Sequence, residues 1–377
     1  MVLSLLYDWA TTLSLVFGGC CSNAITLEQL TSEYPKAGSL ITFFQFIIIS
    51  LYGLPRHITW TRYGPRFKPH RIPLTPYLIQ VALFYLISLL NNAAFGYRIP
   101  MAVHIIFRSG GLIISMVLGW LVGKTYTVTQ VLSVILVTFG VILTTLSASQ
   151  TSTSANSSVD SYTYGTGIAI LTLALLLSGF LGLVQDRTYA QYGRPDPPGT
   201  KNKTESGSSP AWQESMFYLH FLSLPMFLFL RHDLSVQFAT VNAGTPTSLT
   251  LPNFAGIFPL PRNTTVTSQG LRIIHIPAAY LPLLINTLAQ LLCVAGVHRL
   301  TTRVSALTVT LVLVVRKAVS LVLSVVGIGM MGRSQTTEVD KFMMWTGAGM
   351  VLLGTVGYTI GTGGPPTKNN GDKPKKE

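Results

Sequence analysis

Residues 304–331 read VSALTVTLVLVVRKAVSLVLSVVGIGMM, an apolar run with two adjacent cations, Arg316 and Lys317, near its centre. The run is long enough to cross a bilayer, which takes about 20 apolar residues. A cation at the centre of a spanning helix costs about 2.5–3.5 kcal/mol on insertion scales. An anionic ligand that enters the membrane-embedded part of the protein would offset this cost, because desolvated phosphate binds Arg and Lys strongly. The run therefore predicts transport of a phosphorylated compound.

The chain as a whole has the composition of a polytopic membrane protein. Of its 377 residues, 49% are hydrophobic and only 10% are charged, against about 25% charged in soluble domains. Apolar segments of spanning length are predicted at 9–27, 38–55, 75–96, 100–123, 128–147, 165–184, 213–230, 274–297, 304–331 and 339–360. We therefore predict an all-α integral membrane fold with ten transmembrane helices.

The basic charge of the chain, +13, raises the question of nucleic-acid binding. With both termini placed in the cytosol, the cytosolic segments carry most of the 26 Lys and Arg residues, as the positive-inside rule requires. The charge balance thus reports membrane topology, and a nucleic-acid partner is not predicted. The three cysteines all lie in apolar segments and are odd in number, which predicts buried core residues and argues against a disulfide framework.

An internal repeat relates the fourth and fifth apolar segments to the ninth and tenth. The run that starts at Arg108 is followed by Lys124 and Gly140, and the run that starts at Arg316 is followed at similar spacing by Arg333 and Gly349. Five helices per half would place the second copy upside down, the inverted-repeat plan of many secondary transporters, with the ligand near the midplane between the copies. The predicted boundaries are 1–147 for the first half, 148–164 for a lumenal linker, 165–362 for the second half and 363–377 for a polar cytosolic tail.

Polar side chains within the apolar segments are candidate ligands of the cargo. Besides Arg316 and Lys317 they are Arg108, His104, Asn91, Asn92, Asn286, Gln290, Tyr218 and Ser320. Amides can form hydrogen bonds with the hydroxyl groups of a sugar or with the edge of a base, and an aromatic ring can stack on a base. The alternatives are interhelical hydrogen bonding for the amides, snorkelling for Arg108, an interfacial aromatic belt for Tyr218, and ion pairing of the cations with Glu28 or Asp186. Motifs for metal-bound sugar nucleotides, phosphate loops and hydrolases are missing from the sequence, so an enzyme is not predicted, and neither a metal nor a cofactor is expected.

Several runs resemble a known family. They are Phe-Gly-Gly-Cys-Cys-Ser-Asn at 17–23, Leu-Asn-Asn at 90–92, Ile-Pro-Met-Ala-Val-His-Ile-Ile-Phe-Arg-Ser-Gly at 99–110 and Ser-Ala-Leu-Thr-Val-Thr-Leu-Val-Leu-Val-Val-Arg-Lys at 305–317. These runs resemble the nucleotide-sugar transporters of solute carrier family 35, subfamily B, in particular the UDP-N-acetylglucosamine and UDP-xylose branch with its fungal endoplasmic-reticulum member. The resemblance implies a ten-helix drug/metabolite-transporter fold that exchanges cytosolic nucleotide sugar for lumenal nucleoside monophosphate. It also implies phosphate contacts at Arg316 and Lys317 and a cavity-lining acid at Glu28.

The expected function is therefore exchange of UDP-N-acetylglucosamine for UMP by alternating access. UDP-xylose, adenosine phosphosulfate or ATP for ADP are alternative cargoes, and a membrane enzyme acting on lipid-linked sugars is the alternative class. Lys373 and Lys375 near the C-terminus resemble a dilysine retrieval signal read by coat proteins, which favours the endoplasmic reticulum over the Golgi. A generic basic tail is the alternative. The expected partners are the bilayer, the UDP-sugar and UMP, with a homodimer left open.

Overall fold

The computed structural model describes residues 2–34, 37–62, 64–95, 110–149, 161–193, 210–251, 264–266, 272–330 and 341–362. Its α-helices are α1 (Val2–Ser14), α2 (Cys20–Glu33), α3 (Gly38–His57), α4 (Leu74–Phe95), α5 (Gly111–Leu121), α6 (Val128–Ser149), α7 (Ser161–Thr188), α8 (Ala211–Ser223), α9 (Arg231–Asn242), α10 (Tyr280–Thr301), α11 (Ala306–Met330) and α12 (Lys341–Thr362). Its strands are β1 (Ile58–Thr61), β2 (Gly64–Phe67), β3 (Pro246–Leu251), β4 (Thr264–Val266) and β5 (Arg272–Pro277). A π-helical turn, Leu15–Gly19, joins α1 to α2.

The chain is a multi-pass membrane protein. Within the described residues, seven helical stretches are long and apolar enough to cross a bilayer: Leu6–Thr31, Gly38–His57, Leu74–Asn91, Val128–Ser147, Gly165–Tyr192, Tyr280–Thr301 and Phe342–Thr362. The other three predicted segments overlap α5, α8 and α11. The helix α5 covers part of its predicted segment, and residues 100–109 lie outside the described residues. The total of ten spans stays a prediction.

Two small sheets depart from the purely α-helical prediction. The strands β1 and β2 form an antiparallel hairpin in which Ile58 lies opposite Phe67, and β5 pairs with both β3 and β4. The predicted start of the eighth segment at residue 274 is wrong, because 272–277 form β5 and α10 begins at Tyr280. The β-branched residues of β5 favour a strand, while Pro282 fits the first turn of α10, where its missing N–H is not needed.

The chain divides into two compact units, and each draws on both predicted halves of the sequence. The first unit comprises residues 1–85 and 184–305, and the second comprises 86–183 and 306–377. The inverted repeat and the boundaries of the halves stay predictions.

In the first unit, α10 packs closely against the helix formed by α1, the π-turn and α2. Glycines permit this approach, since a Cβ built on Gly19 would lie 2.7 Å from the backbone N of Cys293, and one on Gly296 would lie 2.7 Å from that of Val16. Cys20 and Cys293 form a disulfide at this crossing. The prediction that the cysteines are buried is confirmed, but the prediction that they are unpaired is wrong for these two. Sequence spacing could not show it, because the partners are 273 residues apart.

In the second unit, α6 and α12 pack as an antiparallel pair with backbones in contact. A Cβ on Gly347 would lie 2.6 Å from the carbonyl oxygen of Gly140, and one on Gly354 would lie 2.6 Å from a methyl carbon of Val137. A row of small residues is what lets membrane helices approach so closely. By contrast, Gly349 has no atom within 4 Å of a built Cβ.

Candidate functional site

The predicted cation pair lies in the middle of α11. Arg316 is half-buried and Lys317 is exposed, while the flanking Val315 and Ala318 are 9% and 6% exposed. Successive helical residues point about 100° apart, so the two cations have different surroundings. A planar guanidinium and an ammonium beside it suit a ligand with several anionic oxygens. Ser320, one turn further on, is half-buried.

The other predicted ligands in the first four apolar segments are described only in part. Asn91 of α4 is half-buried, and its Nδ2 donates to the carbonyl oxygen of Ile87 at 2.9 Å. Of Glu28 and Asn92 the structure describes the backbone within α2 and α4, and their side chains lie outside the described atoms. The predicted ligands Arg108 and His104 lie outside the described residues, as do Lys373 and Lys375 of the tail. Their roles stay predictions.

Asn286 of α10 is fully buried and joins three helices. Its Oδ1 accepts from Gln45 Nε2 at 2.8 Å, and its Nδ2 donates to Asn23 Oδ1 at 3.1 Å and Thr26 Oγ1 at 3.0 Å. An amide engaged on both sides in this way holds α10 to α2 and α3, which is the interhelical alternative. A ligand could bind this side chain only by displacing those bonds. Gln290, one turn later, is half-buried.

Tyr218, the aromatic residue proposed to stack on a base, is covered by protein. Tyr218 is 4% exposed and stacks on Tyr77 with ring centroids 5.4 Å apart. The neighbouring Phe217 is fully buried and stacks on His57 at 4.6 Å and on Phe221 at 5.1 Å. In this conformation the two rings build the core at one end of α8, and a base would have to displace a ring partner to reach them.

A buried carboxylate that the sequence analysis missed lies beside this aromatic core. Glu214 of α8 is 2% exposed and accepts hydrogen bonds from the backbone N–H groups of Arg71 and Ile72, both at 2.8 Å. The hydroxyl of Tyr77 donates to it at 3.3 Å. Glu214 thereby ties the segment before α4 to α8. This contact carries no local sequence signal, because Glu214 lies 142 residues from Ile72 along the chain.

A second cluster of polar side chains lies in the interior of the same unit. The Tyr189 hydroxyl is hydrogen-bonded to Ser215 Oγ, which also lies 3.3 Å from His298 Nδ1. The rings of His298 and His220 are 6.2 Å apart, and His220 Nδ1 contacts the carbonyl oxygen of Met216 at 2.7 Å. These contacts link the end of α7, α8 and α10 through polar atoms in the interior. No sequence motif marks them, because they come from three distant segments.

An ion-pair cluster joins the middle of α1 to the C-terminal end of α10. Asp8 accepts from Arg299 Nη2 and Arg303 Nη2, both at 2.5 Å. The Arg299 guanidinium lies 5.4 Å from the centre of the Trp212 ring, and that of Arg303 lies 5.7 Å from the Trp9 ring. Only the fold brings Asp8 to these two arginines, which lie 291 and 295 residues from it along the chain.

Comparison of the sequence with known proteins shows the family of the chain. The profile of the UAA transporter family matches residues 8–361. The chain is 35% identical over 356 residues to the UDP-N-acetylglucosamine transporter YEA4 of Saccharomyces cerevisiae, covering 91% of this chain and 94% of that protein. It is 37% identical over 319 residues to the UDP-N-acetylglucosamine transporter yea4 of Schizosaccharomyces pombe, with 84% and 87% coverage. It is 35% identical over 353 residues to the UDP-xylose and UDP-N-acetylglucosamine transporter of Danio rerio, with 92% coverage of each.

Proposed function

Because the chain belongs to the UAA transporter family, we propose that it is a nucleotide-sugar transporter that exchanges cytosolic UDP-N-acetylglucosamine for lumenal UMP. The observation that carries the proposal is the pair Arg316 and Lys317 in the middle of the apolar helix α11. The names of its relatives support the cargo, and they describe transporters, which points away from an enzyme.

The chemistry of the pair fits a diphosphate. A UDP-sugar carries about two negative charges on its diphosphate, and Arg and Lys replace the lost water with charge-assisted hydrogen bonds. The guanidinium of Arg316 would grip two oxygens at once, and the ammonium of Lys317 would follow the phosphate as a mobile point charge. Arg108, Glu28, His104, Asn91, Asn92, Gln290 and Ser320 are proposed as further cargo contacts. Asn286 and Tyr218 are better explained by the contacts described above.

Strict exchange follows from the same charges. An empty site lined by cations reorients slowly within the membrane, because uncompensated charge is costly there. Either bound anion relieves that cost, so a nucleotide sugar carries the protein one way and UMP carries it back. We place both termini in the cytosol and the protein in the endoplasmic reticulum, with Lys373 and Lys375 as a coat-protein signal. Golgi residence and a homodimer are the alternatives left for experiment.

The test is counterflow exchange in proteoliposomes loaded with UMP. Loss of one charge-assisted contact is worth about 1.5–3 kcal/mol, so Arg316→Ala and Lys317→Ala should each slow UDP-N-acetylglucosamine uptake about 10- to 100-fold. Arg231→Ala, which removes an exposed cation from α9, should leave uptake unchanged. Uptake by Arg316→Ala at the wild-type rate would contradict the proposal.

UDP-xylose is the second candidate cargo, because the Danio rerio relative is named for both sugars. Competition of labelled UDP-N-acetylglucosamine uptake by unlabelled UDP-sugars, adenosine phosphosulfate and ATP would rank them. Stabilisation by each nucleotide in a thermal-shift measurement gives an independent ranking, since only bound ligands raise the melting temperature.

A further inference from the structure

The segment between α3 and α4 concentrates positive charge. Residues 56–71 contain Arg56, Arg62, Arg66, Lys68 and Arg71 and no Asp or Glu. The helices on either side include the membrane-spanning stretches Gly38–His57 and Leu74–Asn91, so the segment must lie at a membrane surface. Topology alone accounts for such charges in a connecting segment, but it does not require the segment to fold.

This segment is nevertheless folded and anchored. Its strands pair from Ile58–Phe67 to Thr61–Gly64, and the backbone N of Lys68 donates to the carbonyl oxygen of His57 at 2.8 Å, which closes the hairpin onto the end of α3. The two hydrogen bonds that Glu214 accepts from the residues before α4 fix its other end. The backbone that carries the cations is therefore held in place.

The exposed groups of the hairpin are those that an interfacial anchor presents. Arg56, Arg62 and Arg66 are exposed, and the Phe67 ring is 52% exposed. Consecutive strand residues point to opposite faces, so Arg66 and Phe67 lie on different sides of β2. Arg and an aromatic ring at the level of the headgroups are typical of membrane-surface contacts.

We propose that this basic hairpin, residues 56–71, binds the headgroups of anionic phospholipids in the leaflet where α3 ends and α4 begins. Its occupant is a lipid because the backbone that carries the exposed Arg62 and Arg66 is fixed at the surface beside two spanning helices, and residues 56–71 contain no Asp or Glu. The lipid would steady the hairpin and, through Glu214, the start of α8. This inference is independent of the transported cargo.

The test uses the full chain in a nonionic detergent, titrated with dioctanoyl phosphatidylserine or with dioctanoyl phosphatidylcholine and followed by microscale thermophoresis. The serine lipid should bind more tightly, and its affinity should fall with added salt. One cation near an anionic surface changes affinity about fivefold, so Arg62→Gln with Arg66→Gln should weaken serine-lipid binding about 25-fold. The double change to Lys at both positions keeps the charge and should retain most of the affinity.

Arg187→Gln with Arg231→Gln is the matched control, since it removes two exposed cations outside the hairpin and should leave binding unchanged. Melting temperatures would confirm that all variants are folded, and Arg66→Gln alone should show about a fivefold loss if the double variant is unstable. Equal affinity for the two lipids, or wild-type affinity in the Gln variants, would overturn the proposal. So would displacement of the lipid by inorganic phosphate or UDP, which would make the hairpin a site for soluble anions.

Discussion

Substitution of the buried Glu214 should destabilise the first unit, and the loss of stability should grow with the number of hydrogen bonds removed. Glu214→Ala leaves the N–H groups of Arg71 and Ile72 without their acceptor, and an orphaned buried donor costs about 1–3 kcal/mol. The total is then about 2–6 kcal/mol. Glu214→Gln keeps one oxygen acceptor and should lose about half of that. Tyr77→Phe removes only the longer bond, 3.3 Å, and should cost about 1 kcal/mol.

These costs can be measured as melting temperatures of the purified protein in detergent, followed by intrinsic fluorescence. At about 2–4 °C per kcal/mol for a unit of this size, Glu214→Ala should melt roughly 10 °C below wild type, and Glu214→Gln roughly 5 °C below. Glu33→Gln, which changes an exposed acid on α2, is the matched control and should melt at the wild-type temperature. A Glu214→Ala protein as stable as wild type would refute the assignment of Glu214 as the tie between α8 and the start of α4.

Two further predictions concern helix contacts. Gly347→Leu places a side chain where even a Cβ would lie 2.6 Å from a backbone oxygen, so this variant should give no monodisperse peak in size-exclusion chromatography. Gly349→Leu, which meets no atom within 4 Å of its Cβ, should run like wild type. Equal behaviour of the two variants would rule out the α6–α12 contact. Because two of the three cysteines are paired, maleimide should label one thiol per denatured chain before reduction and three afterwards. Three labels without reductant would show that the Cys20–Cys293 bond is absent.

The spans were predictable because the bilayer imposes a length and an apolar composition that each segment carries locally. The predicted segments 38–55 and 128–147 nearly coincide with the observed spans Gly38–His57 and Val128–Ser147. Edges were predicted less well where local preference changes inside one apolar run. Residues 213–230, for example, continue as a 3₁₀ turn after Ser223, because Pro225 cannot donate the hydrogen bond that continues an α-helix.

The residues of the candidate site were also predictable from the sequence only in part. Arg316 and Lys317 were visible from the sequence alone, since a cation in an apolar run is costly wherever the run packs. Asn286 could not be assigned from its position, because its partner Gln45 is 241 residues away. Its neighbours decide whether an amide reads a ligand or joins helices.

The amino-acid sequence by itself determined that this protein crosses a membrane many times and has two cations in the middle of an apolar segment, because hydrophobicity and charge are properties of single segments. Only the tertiary structure decided which polar groups are already engaged, as Asp8 is with Arg299 and Arg303 and Cys20 is with Cys293. The physical reason is distance, since a hydrogen bond, an ion pair or a disulfide requires atoms within a few ångströms, and residues this far apart along the chain meet only when it folds.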